Sequence, residues 1–539
     1  MSAPREYWGT RLGVILAVAG SAVGLGNFLR FPGQAVENGG GAFMIPYFCA
    51  LLLLGIPLCL AEWTLGKAGG RAGLHSCPAI LGHVGGHRIW RYVGALGLLL
   101  PTLLYMYYVV VESWCLAYAF HYAAGTIDLG DDPQGYVAAS GKFFTELVGM
   151  DRDGMMLAGG VHPSVWFWAI TFAANFALIY GGVSRGIERF CNIAMPLMIA
   201  CAIAVLIRVL TLPPMTSTLL VDGQAVSQTR TVLDGLGFMW NPRPPEGGES
   251  WWLALTQPKV WLAAAGQIFF TLSVGFGVIV NYASYVRPKG DVVLSGLTAA
   301  ATNEFFEVCL GGLITVTAAF VFLGAAGMGG TFGLGFNTLP VVFEYMPAGR
   351  FFGFLWFFML FLAAITSSIS LLQPVIAFFE EALGVGRAGA VAVLAVITAA
   401  GSGYVIWFSQ GLAALDTLDF WVVNIGIFLF AIIEIVLLSW AFGARRALAE
   451  AREGAELRPA AWVYRVLMAY VTPVFLLVVF IFWSYYHAPA YLEAIRGGGV
   501  PQYSVVVILA VLALYVAFIH RAEPRWDRLR AAPTREVDT

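Results

Sequence analysis

Long stretches of apolar residues recur along the whole chain, and most approach the roughly 20 residues that a membrane-crossing helix needs. The polar segments between them are too short to form a separate soluble domain. The pattern therefore predicts an all-α polytopic membrane protein with twelve transmembrane helices. The apolar stretches begin near Leu12, Ala42, Trp90, Pro163, Cys191, Val260, Val292, Phe352, Ala390, Phe420, Trp462 and Ser504.

Composition excludes the soluble classes. Of the 539 residues, 59% are apolar and 12% are charged, with a mean hydropathy of +0.78, whereas a soluble domain carries roughly 25% charged residues. The seven cysteines lie almost entirely within apolar stretches, so we expect no structural disulfide. The first residues are charged and aromatic, and no small-residue cleavage site follows them, which argues against a cleaved signal peptide.

Basic residues are concentrated on one side of the predicted topology. If both termini are cytoplasmic, about 21 of the 30 Lys and Arg residues fall in cytoplasmic segments, as the positive-inside rule requires. The pattern therefore predicts a multi-pass protein with cytoplasmic N- and C-termini. For the residues from Arg525 to Arg535, a solvated basic tail explains the charge equally well.

Two apolar stretches are interrupted by polar, glycine-rich segments near their centres. The first span contains residues 20–27, with three glycines in seven residues, and the sixth contains residues 271–277. Each glycine weakens a helix by about 1 kcal/mol relative to alanine, and broken backbone inside lipid leaves polar groups unsatisfied. Freed carbonyl groups can bind a cation, and a half-helix N-terminus can hold a carboxylate. Paired breaks in two halves point to a transporter site at the membrane midplane.

Several ordered motifs resemble the neurotransmitter:sodium symporter family, particularly its bacterial leucine transporters, over about residues 5 to 520. The resemblance implies a LeuT-like fold of five-plus-five inverted repeats with broken helices 1 and 6, all within one membrane domain, in a bacterial inner membrane. The implied segments are 12–250 for spans 1–5, 258–443 for spans 6–10, 461–521 for spans 11 and 12, and a cytoplasmic tail over 522–539. The motifs lie at residues 5–8, 22–32, 37–43, 266–273, 282–285, 302–304, 366–368 and 416–421.

The resemblance implies two sodium sites built from neutral oxygen atoms, which a hard cation prefers. The first site would use the Ala22 carbonyl, the side-chain oxygens of Asn27 and Asn303, and both oxygens of Thr271. The second site would use the carbonyls of Gly20, Val23 and Ala363 and the hydroxyls of Thr366 and Ser367. Taken without the resemblance, the Thr366-Ser367-Ser368 hydroxyls would be expected to bond back to their own helix.

Two further positions bear on the ions and the substrate. Glu307 lies one helical turn after Asn303 on the same face, where chloride-dependent relatives have a neutral residue. It is expected to supply the negative charge that chloride would otherwise provide, so we predict chloride independence. Gly24 stands where monoamine carriers of the family have an aspartate, which favours an amino acid substrate over an amine.

The implied substrate pocket contains no charged side chain, so a charged substrate side chain would be buried without a partner. We therefore predict neutral substrates. Leu104 replaces a smaller valine of the leucine transporter, which favours smaller aliphatic side chains, whereas Leu371 replaces an isoleucine and changes the shape of the pocket more than its volume. Preference within a few methylenes is weak. Ser21 also differs, beside the first break. The predicted substrate residues are Ala22, Leu25, Gly26, Leu104, Tyr108, Phe270, Thr271, Ser273, Phe276, Ser367 and Leu371.

The resemblance also implies two gates. Arg30 and Asp419 match an external charged pair, with Tyr108 and Phe270 beneath them. Arg5 and Glu381 match an internal pair, although the family usually has aspartate where this chain has Glu381. The internal gate would be completed by Trp8, Ser284 and Tyr285.

The sequence thus predicts a non-enzymatic, sodium-coupled symporter that imports small neutral, preferably aliphatic, L-amino acids by alternating access with two sodium ions. Three alternative functions would place different requirements on the sequence. A proton-coupled or betaine carrier of the same architecture would want a titratable group in place of Thr366 and Ser367. A channel or sensor would need only one gate, and a membrane enzyme would need a metal-ligand or nucleophile motif. The transport stoichiometry and a homodimeric state are left open by the sequence.

Overall fold

The computed structural model describes residues 8–157, 160–221, 224–243, 250–324, 328 and 330–531. In this part of the chain, ten helices are long and apolar enough to cross a membrane. They correspond in order to predicted spans 2–5 and 7–12, and we keep those span numbers. Their bounds are Met44–Arg71, Ile89–Ala124, Pro163–Tyr180, Val183–Leu210, Val292–Leu323, Gly349–Leu383, Arg387–Trp407, Gln410–Arg452, Ala461–Arg496 and Val500–Arg528.

The first predicted span is a bent pair of helices. Its first half ends at Ala22, and its second half, Gly26–Glu37, departs from that direction by 48°. The break begins at Val23, whose backbone is extended, and glycines on either side of Leu25 weaken helix formation there. Counted as one span, this pair brings the number of candidate spans in the described residues to eleven.

The sixth predicted span is interrupted more strongly. Helices Pro258–Leu272 and Val278–Ser284 have 15 and 7 residues and are separated by residues 273–277. Ser273, Gly275 and Gly277 have φ angles of 53°, 76° and 74°, in the left-handed region that favours glycine. Neither half is long enough to cross a membrane alone. The total of twelve spans therefore remains a prediction, which requires this interrupted pair to cross as well.

Both breaks lie in the protein interior. The first half of span 1 packs against spans 5, 7 and 8, and the second half of span 6 packs against span 2. Spans 3 and 8 form the most extensive helix pair and are buried over most of their length. In spans 4, 11 and 12, a much smaller share of the apolar segment is buried than in spans 3 and 8, as expected for helices that face lipid.

The connecting segments contain structure that the sequence analysis did not anticipate. Strands Met215–Val221 and Gln224–Arg230 form an antiparallel hairpin. The last helix runs from Val500 to Ala531, so the first ten residues of the predicted tail, 522–531, are helical, and residues 532–539 lie outside the described residues. Shorter helices occur at Cys77–Val84, Tyr136–Val148, Val232–Trp240 and Leu339–Glu344.

Candidate functional site

A cavity lies between the two helix breaks and encloses about 360 Å³, including its opening. Nine of the eleven predicted substrate residues line it; Leu25 and Thr271 do not. Ser21 and Gly24 line it as well, although neither was among the predicted substrate residues. No charged side chain occurs in this lining. The lining residues are Ser21, Ala22, Gly24, Gly26, Leu104, Tyr108, Phe270, Ser273, Phe276, Ser367 and Leu371.

Two hydroxyl groups form hydrogen bonds at the edges of the cavity. The Leu25 N–H donates to the Tyr108 hydroxyl at 3.2 Å, and the Ser273 hydroxyl donates to the Ser21 carbonyl at 3.1 Å, which ties the two breaks together. A Cβ atom at Gly24 would lie 2.7 Å from Ser367 Oγ and 2.8 Å from the Tyr108 hydroxyl oxygen. Glycine is therefore required at position 24 for the wall to close in this arrangement.

The predicted first sodium site is a cluster of converging oxygen atoms. Asn303 Oδ1 lies 3.2 Å from the carbonyl oxygens of both Ala22 and Thr271. Three oxygens facing one another at this distance repel unless a donor or a cation lies among them. Rotation of the Asn303 amide by 180° lets its N–H group donate to both carbonyls, and a cation among the three oxygens would relieve their repulsion equally well.

The Asn27 side chain differs from the expectation. Its Oδ1 accepts a hydrogen bond from the Gly24 N–H at 2.8 Å, and its Nδ2 donates to Asn303 Oδ1 at 2.8 Å and to Thr271 Oγ1 at 3.1 Å. The amide therefore turns its nitrogen toward the cluster. Ligation of sodium by the Asn27 oxygen, as predicted, requires the opposite amide orientation.

The Glu307 carboxylate lies directly behind this cluster and is fully buried. It accepts hydrogen bonds from the Thr271 hydroxyl and from Gln267 Nε2 at 2.6 Å. The Tyr47 hydroxyl donates to the neighbouring Glu304 carboxylate at 2.7 Å. Sequence reasoning missed both Gln267 and Tyr47. The signal for Gln267 was its position one turn before Thr271 on the same helix face; Tyr47 carried no local signal, because it reaches the site from another span.

The predicted second sodium site is also brought together. Ser367 Oγ lies 3.4 Å from the Gly20 and Val23 carbonyl oxygens and 3.2 Å from that of Ala363. The Thr366 hydroxyl donates to the Ala363 carbonyl at 2.9 Å. Both hydroxyls thus bond back to their own helix, as the alternative interpretation expected. Ser367 in addition faces the freed carbonyls of the first break, which that interpretation does not explain.

Arg30 and Asp419 line one cavity of about 820 Å³, including its open side, which adjoins the inner cavity at Gly26, Tyr108 and Phe270. Among the residues that the structure describes, no ion pair joins Arg30 to Asp419. Instead, the Arg30 guanidinium lies 4.6 Å from the centre of the Phe270 ring, and Asp419 accepts a hydrogen bond from the Tyr107 hydroxyl at 2.8 Å. The predicted external gate is therefore open in this structure.

The opposite entrance is closed around Trp8. Trp8 is buried, and its Nε1 donates to the Tyr282 carbonyl at 2.9 Å. Ser284 and Tyr285 are buried beside it, where His75 stacks on Tyr285. Arg5 lies outside the described residues, so its pairing with Glu381 remains a prediction.

Glu381 has several partners in the described residues. Its carboxylate accepts hydrogen bonds from the backbone N–H groups of His75 and Ser76 at 2.8 and 2.9 Å, and from Trp526 Nε1 at 2.8 Å. Neighbouring Asp527 forms ion pairs with Arg88 and Arg91, each at 2.7 Å. The helical end of the predicted tail therefore packs against the predicted internal gate, a contact that no sequence pattern indicated.

Comparison with known proteins agrees with this geometry. A family model described as the sodium:neurotransmitter symporter family matches residues 5–214 and 232–522. An uncharacterized sodium-dependent transporter, MJ1319 of Methanocaldococcus jannaschii, is 29% identical over 525 residues, covering 96% of each chain. The sodium-dependent serotonin transporter of Drosophila melanogaster is 26% identical, covering 89% of this chain and 76% of its own.

Among solved structures, MhsT in complex with L-phenylalanine superposes with a TM-score of 0.73 at 30% identity, covering 89% of this chain and 99% of its own. The similarity confirms the predicted LeuT-like fold, because the two chains share nearly the whole architecture. On the combined observations, this chain belongs to the sodium:neurotransmitter symporter family and is a sodium-dependent membrane transporter.

Proposed function

We propose that this transporter is a symporter that couples two sodium ions to the uptake of one neutral L-amino acid by alternating access, without chloride. The observation that carries the proposal is the convergence of two sets of neutral oxygens beside one small cavity that no charged side chain lines. Broken backbone inside a membrane persists where something uses the freed groups, and two cations with a zwitterion would use both sets.

The substrate and the first sodium ion would be coupled by direct contact. Ala22 belongs to both the cavity lining and the first oxygen cluster, and the predicted ligands of that cluster are all neutral. The carboxylate of an amino acid in the cavity would supply the missing negative ligand. Sodium would then bind more tightly when substrate is present, and by reciprocity substrate would bind more tightly with sodium.

Two sodium ions give a large driving force. Moving two charges inward across about 100 mV contributes roughly 4.6 kcal/mol, and a tenfold sodium gradient adds about 1.4 kcal/mol for each ion. Together they would sustain an amino acid gradient of about 10⁵. This accumulation requires that the two gates do not open at once. The open cavity at Arg30 and the buried Trp8 at the other entrance support that arrangement.

With the predicted cytoplasmic termini, the open cavity at Arg30 and the closed entrance at Trp8 together support an outward-facing state. Trp8 and Trp526, close to the two ends of the chain, pack at the closed entrance. The open cavity then faces the exterior. Alternating access would need Trp8 to leave the groove beside Tyr282 while Arg30 closes toward Asp419.

Sodium dependence can be tested at the second site with Thr366→Ala. We expect the sodium concentration for half-maximal amino acid uptake to rise at least about tenfold, because one of five proposed oxygen ligands is lost and a buried polar contact is worth about 1.4 kcal/mol or more. The measurement is radiolabelled leucine uptake into proteoliposomes, with sodium, potassium or a proton gradient imposed in turn.

Thr398→Ala provides the matched control. Thr398 is also fully buried, and its hydroxyl also donates to a carbonyl of its own helix, that of Leu394 at 2.8 Å, but it faces neither break. Its substitution should change the sodium requirement by less than about twofold. Equal effects of the two substitutions on the sodium requirement would contradict the second sodium site. Sodium-independent uptake by the wild type would contradict the proposed coupling.

The side-chain class of the substrate has two candidates. Leu104, which lines the cavity, favours small aliphatic amino acids, whereas the phenylalanine bound to MhsT favours an aromatic one. We propose the aliphatic class, because the branched side chains of Leu104 and Leu371 both line the cavity. In competition assays, alanine, valine and leucine should displace labelled substrate more effectively than phenylalanine does.

Leu104→Ala tests this assignment of the cavity wall. Removing three carbons should raise the uptake of phenylalanine relative to alanine by about tenfold or more, since each methylene in an apolar pocket discriminates by roughly 1–3 kcal/mol. The ratio of the two uptake rates cancels differences in protein amount. Leu100→Ala, a buried leucine one turn away that does not line the cavity, should leave the ratio unchanged. A constant ratio in Leu104→Ala would exclude this residue from the substrate pocket.

A further inference from the structure

Two glutamates meet in the membrane interior, away from both oxygen clusters. Glu62 lies on span 2 and Glu434 on span 10; both are fully buried, and their carboxyl groups lie within hydrogen-bonding reach of each other. Neither belongs to the predicted sodium sites, the substrate cavity or the gates. Their proximity needs an explanation because carboxyl groups inside a membrane are rare and costly.

The pair has few hydrogen-bond donors. Glu62 Oε1 accepts from the Gly275 N–H at 2.5 Å, and Val280 gives the same carboxyl a backbone hydrogen bond. Glu62 Oε2 and both oxygens of Glu434 have no donor among the described residues. The titratable groups that face the pair are Cys59 on span 2 and Cys77 on the helix Cys77–Val84, and neither supplies a positive charge.

Ionising both of these adjacent carboxyl groups is costly, because each raises the cost of charging the other and no cation offsets it. A proton on one carboxyl relieves this cost. Its O–H group then donates to the neighbouring carboxyl and satisfies an oxygen that otherwise has no partner. Groups that share a proton in this way titrate as a unit and not as separate residues.

A hydrogen bond connects the pair to the wall of the substrate cavity. Gly275, which donates to Glu62, lies in the break of span 6, and the next residue, Phe276, lines the cavity. Gly275 also packs closely on span 10: a Cβ atom there would lie 2.7 Å from Ile427 Cγ2 and 2.9 Å from the Ile427 carbonyl oxygen. Any shift of the broken segment against span 10 therefore changes the surroundings of both carboxyl groups.

We propose that Glu62 and Glu434 form a proton-binding site that is coupled to the substrate cavity through Gly275 and Phe276. The pair takes one proton from water, and the shared proton holds the break of span 6 against span 10 in the arrangement that forms the cavity. Loss of the proton to water leaves two adjacent charges and loosens that wall. The proposal rests on the amino acid transport proposed above and adds a proton to the set of coupled ligands.

The sign of the effect follows from linkage. Because the protonated pair favours the formed cavity, substrate affinity should fall as the pH rises, by about five- to tenfold between about pH 6 and about pH 9. By reciprocity, substrate binding at about pH 8 should take up protons from solution. Both effects should disappear when the pair can no longer exchange a proton.

The test uses purified full-length protein in a weakly buffered solution with a pH-indicator dye. Addition of sodium and leucine at about pH 8 should cause proton uptake by the wild type and none by Glu434→Gln, whose amide cannot exchange a proton. Glu62→Gln provides a second variant, because its side-chain oxygen can still accept from the Gly275 N–H. Sodium-dependent leucine binding, measured in parallel, shows that each variant is folded.

Glu112→Gln is the matched control. Glu112 is another fully buried membrane glutamate, but both its oxygens accept hydrogen bonds, from Asn175 and Ser368, so proton uptake should persist in this variant. Wild-type leucine binding without proton uptake, or undiminished uptake in both pair variants, would overturn the proton site. Absence of sodium-dependent leucine binding in the wild type at every pH would instead overturn the proposed transport function.

Discussion

Replacing Glu307 with serine should make transport depend on chloride. In chloride-free medium, leucine uptake by Glu307→Ser should fall at least about 100-fold, because removing one partner of a buried charge interaction costs roughly 3 kcal/mol or more. Chloride should restore much of the uptake, since the Gln267 and Thr271 groups that donate to Glu307 would then face an anion. The measurement is uptake with chloride exchanged for gluconate at constant sodium.

Wild-type uptake should not respond to this exchange of anions, because the carboxylate already supplies the negative charge beside the first oxygen cluster. Glu112→Gln should also remain indifferent to chloride, since Glu112 bonds to Asn175 and Ser368 and not to the cluster. A chloride requirement in the wild type, or full chloride-free activity in Glu307→Ser, would contradict the role assigned to Glu307.

Introducing a side chain at Gly24 should weaken the binding of the amino acid. A Cβ atom there would meet Ser367 Oγ at 2.7 Å and the Tyr108 hydroxyl at 2.8 Å, closer than unbonded carbon and oxygen tolerate. Gly24→Asp would in addition place a negative charge where the substrate carboxylate is expected. We expect leucine affinity to fall at least about 100-fold in Gly24→Asp and less in Gly24→Ala, since overpacking alone costs typically 1–3 kcal/mol. Equilibrium binding of radiolabelled leucine measures both.

Gly266→Ala is the control for this series. Gly266 also lies in a membrane helix, but a Cβ atom at that position has open space around it, so binding should change by less than about twofold. Leucine binding that survives Gly24→Asp with near-normal affinity would show that the amino acid does not occupy the cavity between the two breaks. The substrate proposal would then fail, while the family membership would stand.

Much of the fold followed from local pattern. Apolar length identified the spans, because a helix must satisfy its own backbone in lipid, and the two glycine-rich segments located the breaks. The interrupted sixth span shows the limit of this reasoning. Its shorter half has seven residues, so length alone does not establish that it crosses the membrane. The hairpin at Met215–Arg230 was missed because its strands lie in a polar connection without an apolar alternation strong enough to be recognised.

The structure brings several residues of the sequence motifs together. The family resemblance selected Ala22, Asn303 and Ser367, and the structure places each among converging oxygens. The orientation of the Asn27 amide differed, because the Gly24 N–H, freed by the break, competes for its oxygen. Tyr47 was not predicted, for a different reason. Its hydroxyl is distant in sequence from every other member of the site.

The sequence by itself determined the membrane class, the two weakened helices and the types of oxygen available at them, since these depend on hydrophobicity and local backbone preference. Only the tertiary structure decided which polar groups face one another. The open separation of Arg30 from Asp419, the docking of Trp526 on Glu381 and the meeting of Glu62 with Glu434 each join segments far apart along the chain. The physical reason is that burial and charge act through distance in space, which the order of residues does not specify.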